Sequence, residues 1–338
     1  MRARRLVSHV PHELVIEDHE IPDAPPPGGI LAEAAVTAVS AGTEIANYQG
    51  RTAHRPPDGA EPYYPGYSFA GTVLAVGEGL ERFVPGDRVC GPLPHASRVI
   101  ETRPERLARL TAIPDGVSFV DAAFTQLACI ALNAVRTARI ELGDRVAVVG
   151  AGVVGLLAGR LARLAGGRRI TNLDLLPQRR AAATRNRAYA ALDPADPHVD
   201  ERLAEIAPQG FDVVFEATES AAGFRSAFRL AARGARVVLL GSTRELVDGF
   251  DPYADVHVKG LRVLGAHIST TPATATLTDR WTEAENRRVL LELMQRGELD
   301  VDALISDRIA PDEAPRAFAE LAGRPQEHLG VVIEWSRA

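Results

Sequence analysis

Gly150-Ala151-Gly152-Val153-Val154-Gly155 forms a GxGxxG turn. It directly follows an apolar strand expected at 145–149 and directly opens an apolar helix that ends before Gly166-Gly167. That strand–turn–helix context is what makes the pattern a signal for dinucleotide binding. Gly150 permits the tight turn, Gly152 lets the backbone approach a pyrophosphate, and Gly155 lets the helix pack closely on the strand. The helix start, with Val153 and Val154 in its first turn, then offers free N–H groups and a partial positive charge to phosphates. Asp174 ends the next expected strand, 19 residues past Gly155. A carboxylate there accepts hydrogen bonds from the ribose hydroxyls of NAD and repels the extra phosphate of NADP. NAD(H) is therefore expected over NADP(H), although Arg179 and Arg180 follow closely and an arginine can bind that phosphate. Arg179, Thr218 and Gly241 complete the expected cofactor-binding set.

The elements around this turn alternate. Strands are expected at 145–149, 170–173, 211–215, 236–240 and 261–266, with helices at 179–189, 199–206 and 221–232 between them. Such alternation predicts a parallel sheet covered by helices on both faces. The first third reads differently. Strands at 30–39 and 70–77, a Pro/Gly-rich break at 21–29 and a turn at 83–87 feeding a strand suggest a β-rich barrel or folded-over sheet. A helix at 283–296 stops at Gly297, and residues 331–335 read as a strand returning to the first domain. The expected division is 1–118 with 268–338 for the β-rich domain and 119–267 for the cofactor domain. At roughly 100–200 residues per domain, 338 residues also suggest about two domains.

Composition narrows the classes. The formal net charge is −6, with no Lys/Arg block to neutralise phosphates, so nucleic acid is not an expected partner. The longest apolar stretch, 146–159, is interrupted by glycines and is shorter than the roughly 20 residues that span a bilayer. The basic start is followed by no unbroken apolar core or cleavage site, so a cytoplasmic protein is expected. Two cysteines, Cys90 and Cys129, exclude a four-Cys structural zinc site within one chain.

A β-rich domain, a GxGxxG domain and a return, together with Ser40-Ala41-Gly42-Thr43-Glu44, Pro65-Gly66-Tyr67-Ser68-Phe69-Ala70-Gly71 and Gly86-Asp87-Arg88-Val89, resemble the medium-chain dehydrogenase/reductase superfamily. The wording is most similar to the branch of bacteriochlorophyllide a dehydrogenase and sugar-dehydrogenase-like proteins. The resemblance covers essentially the whole chain. It implies an α/β fold with a GroES-like β-rich catalytic domain and a Rossmann doubly wound parallel-sheet cofactor domain. It also implies a homodimer through the cofactor domain, whose strand at 261–266 otherwise leaves a bare sheet edge.

The departures from the zinc-type pattern carry information. Where those members place a Cys, this chain has Ser40 or Ala41. Their His and Glu are Tyr67 and Ser68, and a further ligand falls near Gln126. Zn²⁺ takes thiolate, imidazole or carboxylate ligands, so no zinc and no other metal is expected. By position, Tyr67 replaces a ligand, Thr43 matches a proton-relaying hydroxyl, and Glu44 matches an acid that supports the metal site; with Ser40 they form the expected catalytic set. Ser68, Gln126 and His267 are the expected substrate contacts, His267 because it follows a parallel strand. His95 lies in a segment that looks like ordinary family framework, and His257 reads as structural. The expectation is an NAD(H)-dependent, zinc-independent dehydrogenase or ketone reductase acting on a small polyhydroxylated molecule such as a sugar or cyclitol. Metal-free quinone or enoyl reduction and a non-catalytic NAD(H)-binding sensor are the alternatives.

Overall fold

The computed structural model describes residues 1–52, 62–272, 274–277 and 280–337. The chain divides into two compact units, Met1–Gln126 with Thr282–Ala338, and Leu127–Trp281. Two helices follow in succession, Phe119–Ala123 and Thr125–Ala138, and the boundary between the units falls just inside the second.

The first unit is β-rich. Ile30–Val39 is its central strand. Small alanines alternate along it with Ile, Leu and Val, so it is buried on both faces. It pairs antiparallel with Phe69–Val76 on one side and with Gly330–Glu334 on the other. The last pairing sets Val331 opposite Val39, so the C-terminal segment does return to this sheet. The path continues through Arg88–Gly91 to Thr111–Ala112, while Ile305–Ile309 flanks Gly330–Glu334 and Arg98–Glu101 pairs with Ile30–Val39. Leu6, Ile30, Phe69, Val89, Leu93, Phe318 and Ile333 fill the core. Trp335 caps the returning strand, and its Nε1–H donates to Thr37 Oγ1 at 3.0 Å. This is the GroES-like fold that the first unit's motifs implied.

The second unit is a six-stranded, wholly parallel sheet. Its order is Ala190–Leu192, Arg168–Leu173, Arg145–Val149, Phe211–Glu216, Ala231–Leu239, Arg262–Gly265. This is the doubly wound Rossmann order, with its switch point between Arg145–Val149 and Phe211–Glu216. Ala147, Leu173, Phe211, Val214, Phe228 and Val237 pack its core. One helix is shorter than its pattern suggests. The segment expected to be helical over 179–189 forms Pro177–Arg185 and then breaks at Arg187, whose φ is +63°. The residues after it make the short edge strand Ala190–Leu192. Among the described residues no helix is long and apolar enough to cross a membrane.

Candidate active site

In the second unit the Gly-rich turn has the geometry its sequence demands. Gly150 sits at φ +98°. A Cβ on Gly155 would lie 2.1 Å from the Gly150 carbonyl oxygen, so only glycine permits this helix–strand approach. A Cβ on Gly152 would meet nothing within 4 Å. Gly152 therefore faces open space as the N-cap of the helix Val153–Leu164, and as a glycine it makes no side-chain capping hydrogen bond to the first turn. An uncapped helix start beside an open glycine fits a pyrophosphate. Asp174 is nearly buried. Its Oδ2 accepts from the Ala151 N–H at 2.8 Å and its Oδ1 from the Leu176 N–H at 2.9 Å. Each carboxylate oxygen has two acceptor sites, so one on each remains for a ribose hydroxyl. Arg179 Nη1 is 3.8 Å from Asp174 Oδ2. Arg180 is turned inward, donating to the Asp174 and Leu175 carbonyls and pairing with Asp193.

Thr218 and Gly241 meet at the carboxyl ends of two neighbouring strands. A Cβ on Gly241 would lie 2.0 Å from the Thr218 carbonyl oxygen. Both lean on Glu216, which the sequence did not single out. Thr218 donates to its carboxylate through N–H (2.7 Å) and Oγ1 (2.5 Å), and the Gly241 N–H donates to its carbonyl at 2.7 Å. Burial pushes the Glu216 carboxyl above the usual range, and the hydrogen bonds from Thr218 and Thr243 only partly offset it. His267 is exposed and caps the short turn Ile268–Thr270, with its Nδ1 2.7 Å from Ser269 Oγ. Asn133 Nδ2 donates to the Ala266 and His267 carbonyls at 3.2 Å and so fixes this strand end.

In the first unit, strand pairing brings together residues far apart in sequence. Thr37 lies opposite Phe69, and the Ala38 N–H donates to the Ser68 carbonyl at 2.9 Å. This sets Ser40, just past one strand, beside Tyr67, just before the other. The helix Thr43–Tyr48 follows at once and carries Thr43 and Glu44. The Tyr67 ring is half-buried, whereas its hydroxyl is desolvated among Ser40, Thr43 and Glu44. That desolvation pushes the hydroxyl well above the usual tyrosine range. The Glu44 charge adds to the push, and hydrogen bonds with Ser40 and Thr43 pull partly back. Glu44 is fully buried. Its Oε2 is 2.8 Å from His95 Nε2, and its Oε1 faces the Ser40 N–H at 3.4 Å. Ser68 is fully buried, and its Oγ has no hydrogen-bond partner among the described residues.

Gln126 is buried and turned to another partner. Its Oε1 accepts from Arg287 Nη2 at 2.5 Å, and Arg287 also holds Glu283 at 2.8 Å. The donors that stand where zinc-type members carry ligands are thus hydroxyls, a phenol held in its protonated form and an amide oxygen already occupied. Zn²⁺ is bound by thiolate, imidazole and carboxylate, and this set does not suit it. Among the described residues no three His, Cys, Asp or Glu side chains group as a metal site.

A GroES-like β-rich unit and a Rossmann unit with an uncapped GxGxxG helix define a class of two-domain oxidoreductases. Family models agree with that class. Residues 27–135 match the alcohol dehydrogenase GroES-like domain and residues 153–284 match the zinc-binding dehydrogenase domain. The chain belongs to the medium-chain dehydrogenase/reductase superfamily and is an oxidoreductase of the alcohol dehydrogenase type. It is 26% identical to D-guloside 3-dehydrogenase of Escherichia coli (strain K12), across 78% of this chain and 74% of that protein. It is 25% identical to D-xylulose reductase of Saccharomyces cerevisiae, across 97% of each. Among solved structures, a putative zinc-binding dehydrogenase from Sinorhizobium meliloti 1021 bound to NADP superposes with a TM-score of 0.82 at 25% identity, covering 99% of both chains.

Proposed function

We propose that this protein is a zinc-independent, NAD(H)-preferring dehydrogenase that oxidises a secondary alcohol of a small polyhydroxylated substrate, or reduces the matching ketone. The similarity to the guloside and xylulose enzymes supports the substrate class. The observation that carries the mechanism is the desolvated Tyr67 hydroxyl among Ser40, Thr43 and Glu44.

The Gly152 helix start and Asp174 would hold NAD⁺, which would supply the hydride acceptor, so that alcohol and NAD⁺ would give ketone, NADH and one proton. The chain must stabilise charge on the substrate oxygen and move that proton. Tyr67 is kept protonated by burial and by the Glu44 charge, so it serves as a hydrogen-bond donor to the developing oxyanion and does not itself end as phenolate. Such a donor, fixed in advance in a water-poor site, lowers the barrier because no solvent need reorganise. Thr43 and Ser40, which touch Tyr67, carry the proton between the substrate oxygen and the outside. The exposed edge strand Arg262–Gly265 suits a homodimer through the second unit.

The test is a panel of pentitols, hexitols, inositols and 2,3-butanediol with NAD⁺, in the wild type and in Tyr67→Phe. Removing one oxyanion donor typically costs about 10²–10³-fold in rate. Tyr67→Phe is expected to lower kcat about 10²-fold or more with NADH affinity nearly unchanged. Full activity in Tyr67→Phe overturns the assignment of Tyr67. An absence of turnover across the panel overturns the function.

A further inference from the structure

Behind the hydroxyl cluster stands His95, which the reaction above does not use. Glu44 and His95 are 51 residues apart in sequence, both fully buried, and bonded at 2.8 Å. An ionised carboxylate only accepts hydrogen bonds, so the ring nitrogen that meets it, Nε2, carries the hydrogen. His95 Nδ1 is buried and has no hydrogen-bond partner among the described residues.

The ring is clamped on two sides. Phe318 meets it edge-on, with centroids 6.3 Å apart and planes at 87°. Gly66, at φ +109°, backs this segment so closely that a Cβ would lie 2.2 Å from the His95 backbone nitrogen and 2.9 Å from the ring carbon Cγ. Gly66 adjoins Tyr67, so any residue other than glycine there would displace both the imidazole and the tyrosine. On its far side Glu44 faces the Ser40 N–H and lies close enough to Tyr67 for its charge to be felt. One rigid chain of contacts thus runs from the imidazole through the carboxylate to the loop that bears Ser40 and Thr43.

Resting on the dehydrogenase reading above, we propose that His95 is a positioning residue: its Nε2–H fixes the Glu44 carboxylate, and through it the Ser40–Thr43 loop and the direction of the Tyr67 O–H. What the proposal needs from the imidazole is its N–H, so another N–H donor at the same place should serve.

The experiment compares His95→Met, which removes the N–H, with His95→Gln, whose amide restores a neutral N–H. Two readouts are taken. One is turnover of the panel polyol with the highest wild-type rate. The other needs no substrate: the ¹³Cζ resonance of Tyr67 in protein labelled at the tyrosine ring, with six tyrosines in the chain and Tyr67 assigned by its loss in Tyr67→Phe. A displacement of about 1 Å in a reacting group can cost about 10²-fold. His95→Met should therefore lower kcat about 10²-fold with KM and NADH affinity little changed, and should shift the Tyr67 resonance. His95→Gln should restore both. A Tyr67 resonance that stays in place in His95→Met overturns the proposal, as does a His95→Gln protein that melts like wild type yet turns over like His95→Met. If His95→Met does not fold, His95→Leu, which also removes the N–H, reads the same resonance and must shift it. A wild type that turns over nothing removes the dehydrogenase reading, and the resonance still decides whether His95 positions Tyr67.

Discussion

Arg287 has a fully buried side chain in the first unit, and its replacement by Met is the sharpest probe of what holds that unit together. Its guanidinium donates to the Arg109 carbonyl, to Gln126 Oε1 and to Glu283 Oε1. Met fills much of the same volume and donates to none of them. Removing one partner of a buried ion pair costs about 3–5 kcal/mol. Glu283 keeps a second partner, since Arg109 Nε and Nη2 lie 2.9 and 2.6 Å from its other oxygen; that places the ionic part at the low end. The orphaned Gln126 oxygen and Arg109 carbonyl add about 1–3 kcal/mol each when neither finds water. These losses overlap, and a destabilisation of about 4 kcal/mol is expected, or a melting point lower by roughly 8–16 °C at about 2–4 °C per kcal/mol for a unit of this size. The pH dependence has a definite sign. Burial pushes the Glu283 carboxyl up, but the charges and hydrogen bonds of Arg287 and Arg109 outweigh it and hold the group below the usual carboxylate range. A depressed folded value contributes stability above the unfolded value of about 4.3, and that contribution is lost as pH falls through the folded one. The gap between wild type and Arg287→Met should therefore be full at pH 7 and shrink below about pH 4. Calorimetry and urea titration at both pH values measure it. A gap under about 1 kcal/mol at pH 7, the size of an ordinary surface change, refutes the reasoning.

Three further outcomes are expected. Replacing Asp174 by Ser should narrow the preference for NADH over NADPH in fluorescence titration, and a wild type that binds NADPH more tightly would show that Arg179 governs the strand end instead. Metal analysis after dialysis against a chelator should find no stoichiometric zinc; one retained zinc per chain would contradict the donor chemistry of Ser40, Tyr67, Ser68 and Gln126. Light scattering at micromolar concentration should give a dimer, and a monomer there would remove the edge-strand interface.

Much of the fold is legible because its signals are short-range. The strand Ile30–Val39 and the helix Val199–Ile206 occupy the residues that their patterns mark, since period and burial are written within each segment. The edge strand Ala190–Leu192 is not legible in the same way. Three residues, two of them alanine, carry no period, and the preceding helix stops early, at Arg185 with Asn186 as its cap and the left-handed Arg187 just after it. The Gly-rich turn is readable for the opposite reason: each glycine answers a local steric demand, as the 2.1 Å approach at Gly155 shows.

Side-chain partnerships across the fold leave no local trace, and the site shows where that limit falls. The family resemblance groups Ser40, Thr43, Glu44 and Tyr67, and two adjacent strands bring these residues together in the fold. The resemblance gives no hint that Glu44 is completed by His95, whose ring arrives from a different strand connection and whose segment reads as ordinary framework. Gln126 shows the reverse case. Its position suggests a ligand or substrate contact, yet its carbonyl is held by Arg287, 161 residues away. A buried carboxylate, a buried guanidinium and a buried amide each need a partner. Which partner each one takes is settled by packing, because every alternative leaves a polar group unpaired in the core. The chemistry of this protein therefore depends on pairs that only the folded chain creates: Glu44 with His95, and Glu283 and Gln126 with Arg287.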